Sequence, residues 1–267
     1  FDENGRTFSS FISKFLPYNW CPTTEEQHQS FIDTIATTFR EPDALQFILS
    51  YVGKSMIDKS TNDCEFLFTH GVGGGGKSTL LRILKSVFCD GVYVKEVGHT
   101  TFDNDTEFIR TIRGVGNSIL FLLVEEMGDG KKALSNIKKV CDGAFALRDK
   151  GLNTTSDFIL KAKLIVTSNH LLQFDGDTGI KRRVLYYEYK NHFTSNPADV
   201  NPSKHTYLRN PNLSPEAIAN YCDGDKCVIF NTFAYRAKLY YMGDSIPRPP
   251  SVVSGLQLPS WELFIQT

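Results

Sequence analysis

Gly71, Val72, Gly73, Gly74, Gly75, Gly76, Lys77, Ser78 and Thr79 run together in the order G-x-x-x-x-G-K-[ST]. The spacing has a mechanical meaning. Glycines let successive backbone N–H groups wrap a phosphate where bulkier residues would collide with it. A helix that opens at the end of such a loop adds the positive end of its dipole. On this pattern Lys77 reaches the outer phosphates and the Ser78 hydroxyl completes a Mg²⁺ shell, so the expected ligands are ATP and Mg²⁺.

A phosphate cradle binds a nucleotide; hydrolysis also needs a carboxylate. The apolar run Ser118–Val124 leads straight into Glu125-Glu126. Glu125 is assigned to the metal and Glu126 to the attacking water. A second apolar run, Lys163–Thr167, ends in Ser168-Asn169. There Asn169 could hydrogen-bond a γ-phosphate or the water, although Ser-Asn is also ordinary turn chemistry. Arg182 and Arg183 follow, just before another apolar run. Such a pair is usually solvated or salt-bridged, but in an oligomeric ATPase it can cross a subunit interface and stabilise transition-state charge.

These residues need a scaffold that brings several strand ends to one place. Short apolar runs at Glu65–Thr69, Val92–Val97, Ser118–Val124, Lys163–Thr167 and Val184–Tyr189 alternate with helical patterns, one of them reaching from the glycine loop to about Phe88. The alternation predicts an α/β fold with a parallel sheet, and the continuous apolar strands predict cover on both faces. Residues 1–60 read as helical. Phe8, Phe11, Ile12 and Phe15 follow helix spacing, as do Phe31, Ile32, Ile35 and Phe39, and a third helix starts near Pro42 and stops at Gly53. The stretch after residue 190 reads as a linker. Beyond it come a helix opening at Ser214-Pro215, another through Phe230, Phe233, Ala237 and Tyr240, and an irregular Pro-rich tail after Met242. The chain is expected to divide into a helical collar over 1–60, an ATPase core over 61–190 and a helical subdomain with its tail over 191–267.

Composition excludes several classes. In a chain of 267 residues with 41% hydrophobic and 22% charged residues, wholesale disorder is excluded. No apolar run approaches the roughly 20 residues of a membrane helix. The chain starts at Phe1 with neither an initiator methionine nor a signal-peptide pattern, and reads as a piece of a longer intracellular protein. Its six cysteines read as reduced thiols; Cys222 and Cys227 lack the second close pair that a structural zinc site needs. A net charge of −1 argues against a protein that coats nucleic acid. Residues 131–163 nevertheless hold eight Lys or Arg against three Asp, while residues 1–50 hold three basic against seven acidic side chains. One segment therefore suits a polyanion, although a solvated face would look the same.

The order of the loop Gly71–Thr79, the pair Glu125-Glu126, a basic segment and Asn169 resembles the superfamily 3 helicases. It is most similar to the helicase domain of poxvirus-type and phage- or plasmid-type primase–helicases. In that family a Lys-containing helix and a β-hairpin separate the acidic strand from the Asn strand. Here Ile137–Gly143 and Ala144–Asn153 match that layout, and Gly179–Val184 resembles the twin-Arg segment. The chain departs from many members in carrying Glu125-Glu126 where they have an Asp, and Asp142-Gly143 where some have paired Gly.

The resemblance implies an AAA+-like P-loop core, hexameric rings and single-stranded DNA threaded through the pore during replication of a virus or mobile element. A primase domain upstream in the same polypeptide would fit. The place of action would be the host cytoplasm or a viral replication site, with the nucleus open. Arg183 becomes the expected trans-acting finger, with Arg182 second. In a ring, Arg148 and Lys150 on the hairpin are the expected DNA contacts, the other reading being a solvated hairpin tip. Two rivals stay open: a nucleotide-gated assembly or packaging ATPase that separates no strands, and an RNA-directed ATPase of the same superfamily.

Overall fold

A strand buried on both faces sends alternate side chains into two different cores, and β1 (Phe66–Gly71) shows this directly. In the computed structural model Leu67 enters one apolar cluster while Phe66 and Phe68 enter another on the opposite face. The same alternation recurs in β3 (Phe121–Glu125), β6 (Lys163–Ser168) and β7 (Val184–Tyr189). Each such side chain stabilises the fold by about 1.5–3 kcal/mol through burial. The structure describes residues 15–57, 64–115, 119–127, 131–148, 155–171, 177–246 and 248–254. Phe8, Phe11 and Ile12, the start of the first expected helix, lie outside them, as does the tip of the hairpin with Lys150.

The sheet runs β10-β7-β1-β6-β3-β2, with β2 at Val94–Glu96 and β10 at Val252–Ser254. All pairs are parallel except that of β10 with β7. The tail, expected to be irregular, therefore returns as an antiparallel edge strand. Its apolar pair Val252-Val253 completes the β7 edge, a long-range pairing with no local signal.

One face of the sheet is covered by α4 (His99–Asp103), α5 (Asp105–Val115) and α6 (Lys131–Asp142). The other is covered by α1 (Glu25–Phe39), α2 (Pro42–Ile57), α3 (Lys77–Phe88), α8 (Pro215–Ala219) and α9 (Asp223–Tyr241). Thr24 opens α1 with a capping box to Gln27, which satisfies two backbone donors that helix geometry leaves without partners. Helices from the two ends of the chain thus form one layer. Gly53, expected to stop α2, lies inside it. A Cβ there would sit 2.7 Å from the Phe233 carbonyl oxygen and 2.7 Å from Arg236 Cβ, so the glycine admits α9 at close range.

Between β3 and β6 the chain forms a two-stranded antiparallel ribbon, β4 (Ala144–Arg148) with β5 (Thr155–Ile159), separate from the main sheet. Arg148 ends β4. The helix α7 (Thr178–Lys181) precedes β7. After β7 the expected linker is ordered: β8 (His192–Thr194) pairs with β9 (Thr206–Leu208), and short 3-10 turns at Pro197–Asp199, Pro202–Lys204 and Pro211–Leu213 carry the chain onward.

Candidate active site at the carboxyl ends of β1, β3 and β6

In a parallel sheet every strand delivers its last residue to the same edge, and the site is built there. The strand between β1 and β3 is β6. Thr167 of β6 stands level with both Thr69 of β1 and Glu125 of β3. Asn169 is therefore delivered between the phosphate loop and the two glutamates.

The loop Gly71–Gly76 bends from β1 into α3, whose first residue is Lys77. Gly76 has φ +90°, and a Cβ there would meet Thr38 Cγ2 at 2.5 Å, so the left-handed turn and the neighbour both require glycine. Gly71 lies against Tyr189, where a Cβ would be 2.5 Å from the carbonyl oxygen. Val72, Gly73 and Gly74 are exposed at the crown of the loop; Ser78 is half-buried and Thr79 buried.

Lys77 is 7% exposed. Its ammonium donates to the Gly71 carbonyl, to Val72 O at 2.9 Å and to Asn169 Oδ1 at 2.7 Å. Burial pushes its pKa below the ordinary lysine value, and the nearby Glu126 and Glu125 carboxylates oppose that shift. Asn169 donates its Nδ2 to Glu126 Oε1 at 2.6 Å and its backbone N–H to Glu126 Oε2 at 3.0 Å. Lys77, Asn169 and Glu126 form one continuous hydrogen-bonded chain across three strand ends.

Glu126 has φ +55°, a conformation that costs a non-glycine residue on the order of 1 kcal/mol or more. Its N–H bonded to Thr167 O at 2.8 Å holds the turn in place. Glu125 is half-buried at the end of β3, and Glu126 is exposed beside it.

A cavity of about 360 Å³ joins the loop to Glu125, Glu126 and Asn169. Its other rim was missed by the sequence reading. It comprises Thr37 and Thr38 from α1, Arg82 from α3, and Phe193 and Arg209 from the segment after β7. Arg82 had a signal: it lies four residues after Ser78 and three after Thr79, so it shares their helix face. Phe193 and Arg209 had none, because their place depends on the path of a segment with no periodic pattern. That segment is tied to the loop by Phe193 N–H to Gly74 O at 3.0 Å and by the His192 ring to Gly73 O at 3.1 Å.

The two arginines stand in different surroundings. Arg183 is 7% exposed; its Nε donates to Asp142 Oδ1 at 3.2 Å, Nη2 to the same oxygen, and Nη1 to Gly179 O at 2.7 Å. The guanidinium is spent within its own chain, because the turn before β7 points it inward at the end of α6. Arg182 is exposed. Arg183→Ala is expected to cost roughly 1–3 kcal/mol of stability by leaving Asp142 and the Gly179 carbonyl without their donor. Arg182→Ala should leave the melting temperature nearly unchanged. Thermal unfolding of the two variants in parallel checks the contrast, and equal melting temperatures would contradict it.

Among the described residues no group of three or more His, Cys, Asp or Glu is placed to hold a metal ion. Ser78 and Glu125 supply only oxygen donors, which suits Mg²⁺, an ion that commonly takes few protein ligands and fills its shell with phosphate oxygens and water. No helix among the described residues is long and apolar enough to cross a membrane.

The class is an α/β fold with a phosphate loop after β1, an inner strand of a sheet of five parallel strands and one antiparallel edge strand. A model of a family of unknown function (DUF5906) matches residues 69–183, from the end of β1 to Arg183. No curated protein matches the chain in sequence. Among solved structures, the A form apo structure of the NrS-1 C-terminal region is similar at a TM-score of 0.52 and 10% identity, over 86% of this chain and 54% of that one. A second A form structure, of NrS-1 residues 305–718, gives 0.52 and 12%, over 86% and 53%. The chain spans about half the length of these structures, and at such identities the likeness is one of fold. A JCV helicase structure follows at 0.43 and 12%, over 84% of this chain and 62% of that one.

Proposed function

We propose that the chain is the ATP-hydrolysing motor of a replicative DNA helicase of a virus or mobile element, acting as a ring. The observation that carries this reading is the Lys77–Asn169–Glu126 chain laid across the mouth of the phosphate loop. It supplies a cation for the outer phosphates and a carboxylate for water, with an amide joining them.

The backbone N–H groups of Gly73–Gly76 and the amino end of α3 hold the β- and γ-phosphates. Lys77 exchanges the carbonyls of Gly71 and Val72 for phosphate oxygens. Ser78 and Glu125 would hold Mg²⁺, which when bound supplies charge neutralisation at the phosphates. Glu126 orients a water against the γ-phosphorus and accepts its proton. The water oxygen bonds to that phosphorus as the bond to the β–γ bridging oxygen breaks, and ADP and phosphate leave. Asn169 holds Glu126 until the γ-phosphate draws Lys77 and Asn169 toward it.

The ring supplies the remaining charge. Arg182, exposed beside β7, is the residue that reaches a neighbour's γ-phosphate, in place of Arg183. Arg182→Ala should bind ATP almost normally and hydrolyse it about 10³-fold more slowly. Mixing it with Lys77→Ala should restore part of the activity, because some interfaces then pair an intact Lys77 with an intact Arg182. No recovery in a mixture shown to co-assemble removes the trans role. The β4–β5 ribbon, with Arg148 at the end of β4 and Lys150 beyond it, lines the channel and contacts DNA phosphates.

Strand displacement tests the function itself. A forked DNA duplex should be separated with ATP and left intact with a non-hydrolysable analogue. Hydrolysis without separation would make the chain an assembly or packaging ATPase. Stimulation of turnover by single-stranded RNA and not by single-stranded DNA would make it an RNA-directed one.

A further inference from the structure

Beyond the loop, the cavity has a rim on the segment between β7 and α8, and that rim carries a cation outside the Lys77–Asn169–Glu126 chain. Arg209 is exposed, lines the same cavity as Lys77, Glu125 and Glu126, and follows directly on β9. Among the described residues its guanidinium makes no hydrogen bond and no ion pair. Its backbone is fixed: Arg209 N–H donates to Thr194 O at 2.8 Å, and β9 is paired with β8. The neighbouring Asn210 donates its side-chain amide to Thr37 Oγ1 at 3.2 Å. The segment is also anchored to the crown of the loop through His192 on Gly73 and Phe193 on Gly74. A cation without a partner is thus carried on a strap whose ends are tied to the phosphate loop and to α1.

We propose that Arg209 is a nucleotide-binding residue acting in cis, whose guanidinium takes the β- and γ-phosphates of a nucleoside triphosphate opposite Lys77. This rests on the ATP-site reading above. The chemistry fits: guanidinium forks match phosphate oxygens, and a charge-assisted bond to a polyphosphate needs a donor that no carboxylate has already claimed. The consequence is mechanical. A nucleotide held by Arg209 and Lys77 together ties the β8–β9 strap, and through Asn210 the helix α1, to the phosphate loop; a nucleotide without outer phosphates does not.

Equilibrium binding of ATP, ADP and AMP to wild type, Arg209→Ala and Arg209→Lys tests it, with melting temperatures recorded without nucleotide. Arg209→Ala is expected to weaken ATP and ADP by about tenfold to a hundredfold while leaving AMP and the melting temperature unchanged. Arg209→Lys should recover part of the loss. Equal weakening of all three nucleotides would mean that Arg209 only shapes the strap, and unchanged ATP and ADP affinity would mean that it faces solvent; either overturns the proposal. If wild type binds no nucleotide, the ATP-site reading itself fails, a result distinct from both.

Discussion

Lys77→Ala is expected to abolish ATP hydrolysis, with a loss on the order of 10³-fold or more, in a protein that still folds. The side chain is buried at the first turn of α3, and its ammonium spans the Gly71 and Val72 carbonyls and Asn169. Arg82 and Arg209 share the cavity, but neither stands at the start of the helix where the loop delivers the phosphates. Alanine removes the lysine's charge from the outer phosphates and the link that aligns Asn169. The folded state should survive, because leaving the Gly71 and Val72 carbonyls without this donor costs roughly 1–3 kcal/mol each at most, against about 5–15 kcal/mol for a typical domain. Steady-state phosphate release together with a melting curve checks this. Turnover like wild type in a folded Lys77→Ala protein would falsify the site.

The second large effect is expected at Glu126. Glu126→Gln should bind ATP and Mg²⁺ yet hydrolyse about 10²–10⁴-fold more slowly, since the amide keeps the shape of the group and loses its basicity. The amide oxygen of the new Gln can still accept from the Asn169 backbone N–H, so the turn at φ +55° should hold. Glu125→Gln should instead raise the Mg²⁺ concentration needed for half-maximal turnover. Single-turnover hydrolysis across a Mg²⁺ series separates the two. If Glu125→Gln trapped ATP while Glu126→Gln turned over normally, the two roles would be exchanged.

The parts of this site that sequence makes legible are the local ones. The phosphate loop could be read because its function depends on consecutive backbone groups, and the glycines that permit the turn are contiguous in the chain. Glu125-Glu126 and Asn169 could be read as strand ends because an apolar run stops where its strand leaves the core. The parallel sheet followed from alternating periodicities, and α3 from the apolar stripe after Lys77.

What the tertiary structure decided is which strand ends meet. The sequence order places β3 before β6, but β6 inserts between β1 and β3, and only that register lets Asn169 touch Lys77 and Glu126 at once. Strand order is set by how the crossover helices cover the two faces, a sum over many distant contacts that no short window contains. The same holds for Arg182 and Arg183. They are adjacent and chemically identical, and the turn before β7 exposes the first and buries the second against Asp142, 41 residues away. Gly53 reads as a helix stop but admits α9, and the segment carrying Phe193 and Arg209 reads as a linker but closes the cavity. In each case the residue type was visible in the sequence, while its role depended on which distant backbone came close to it.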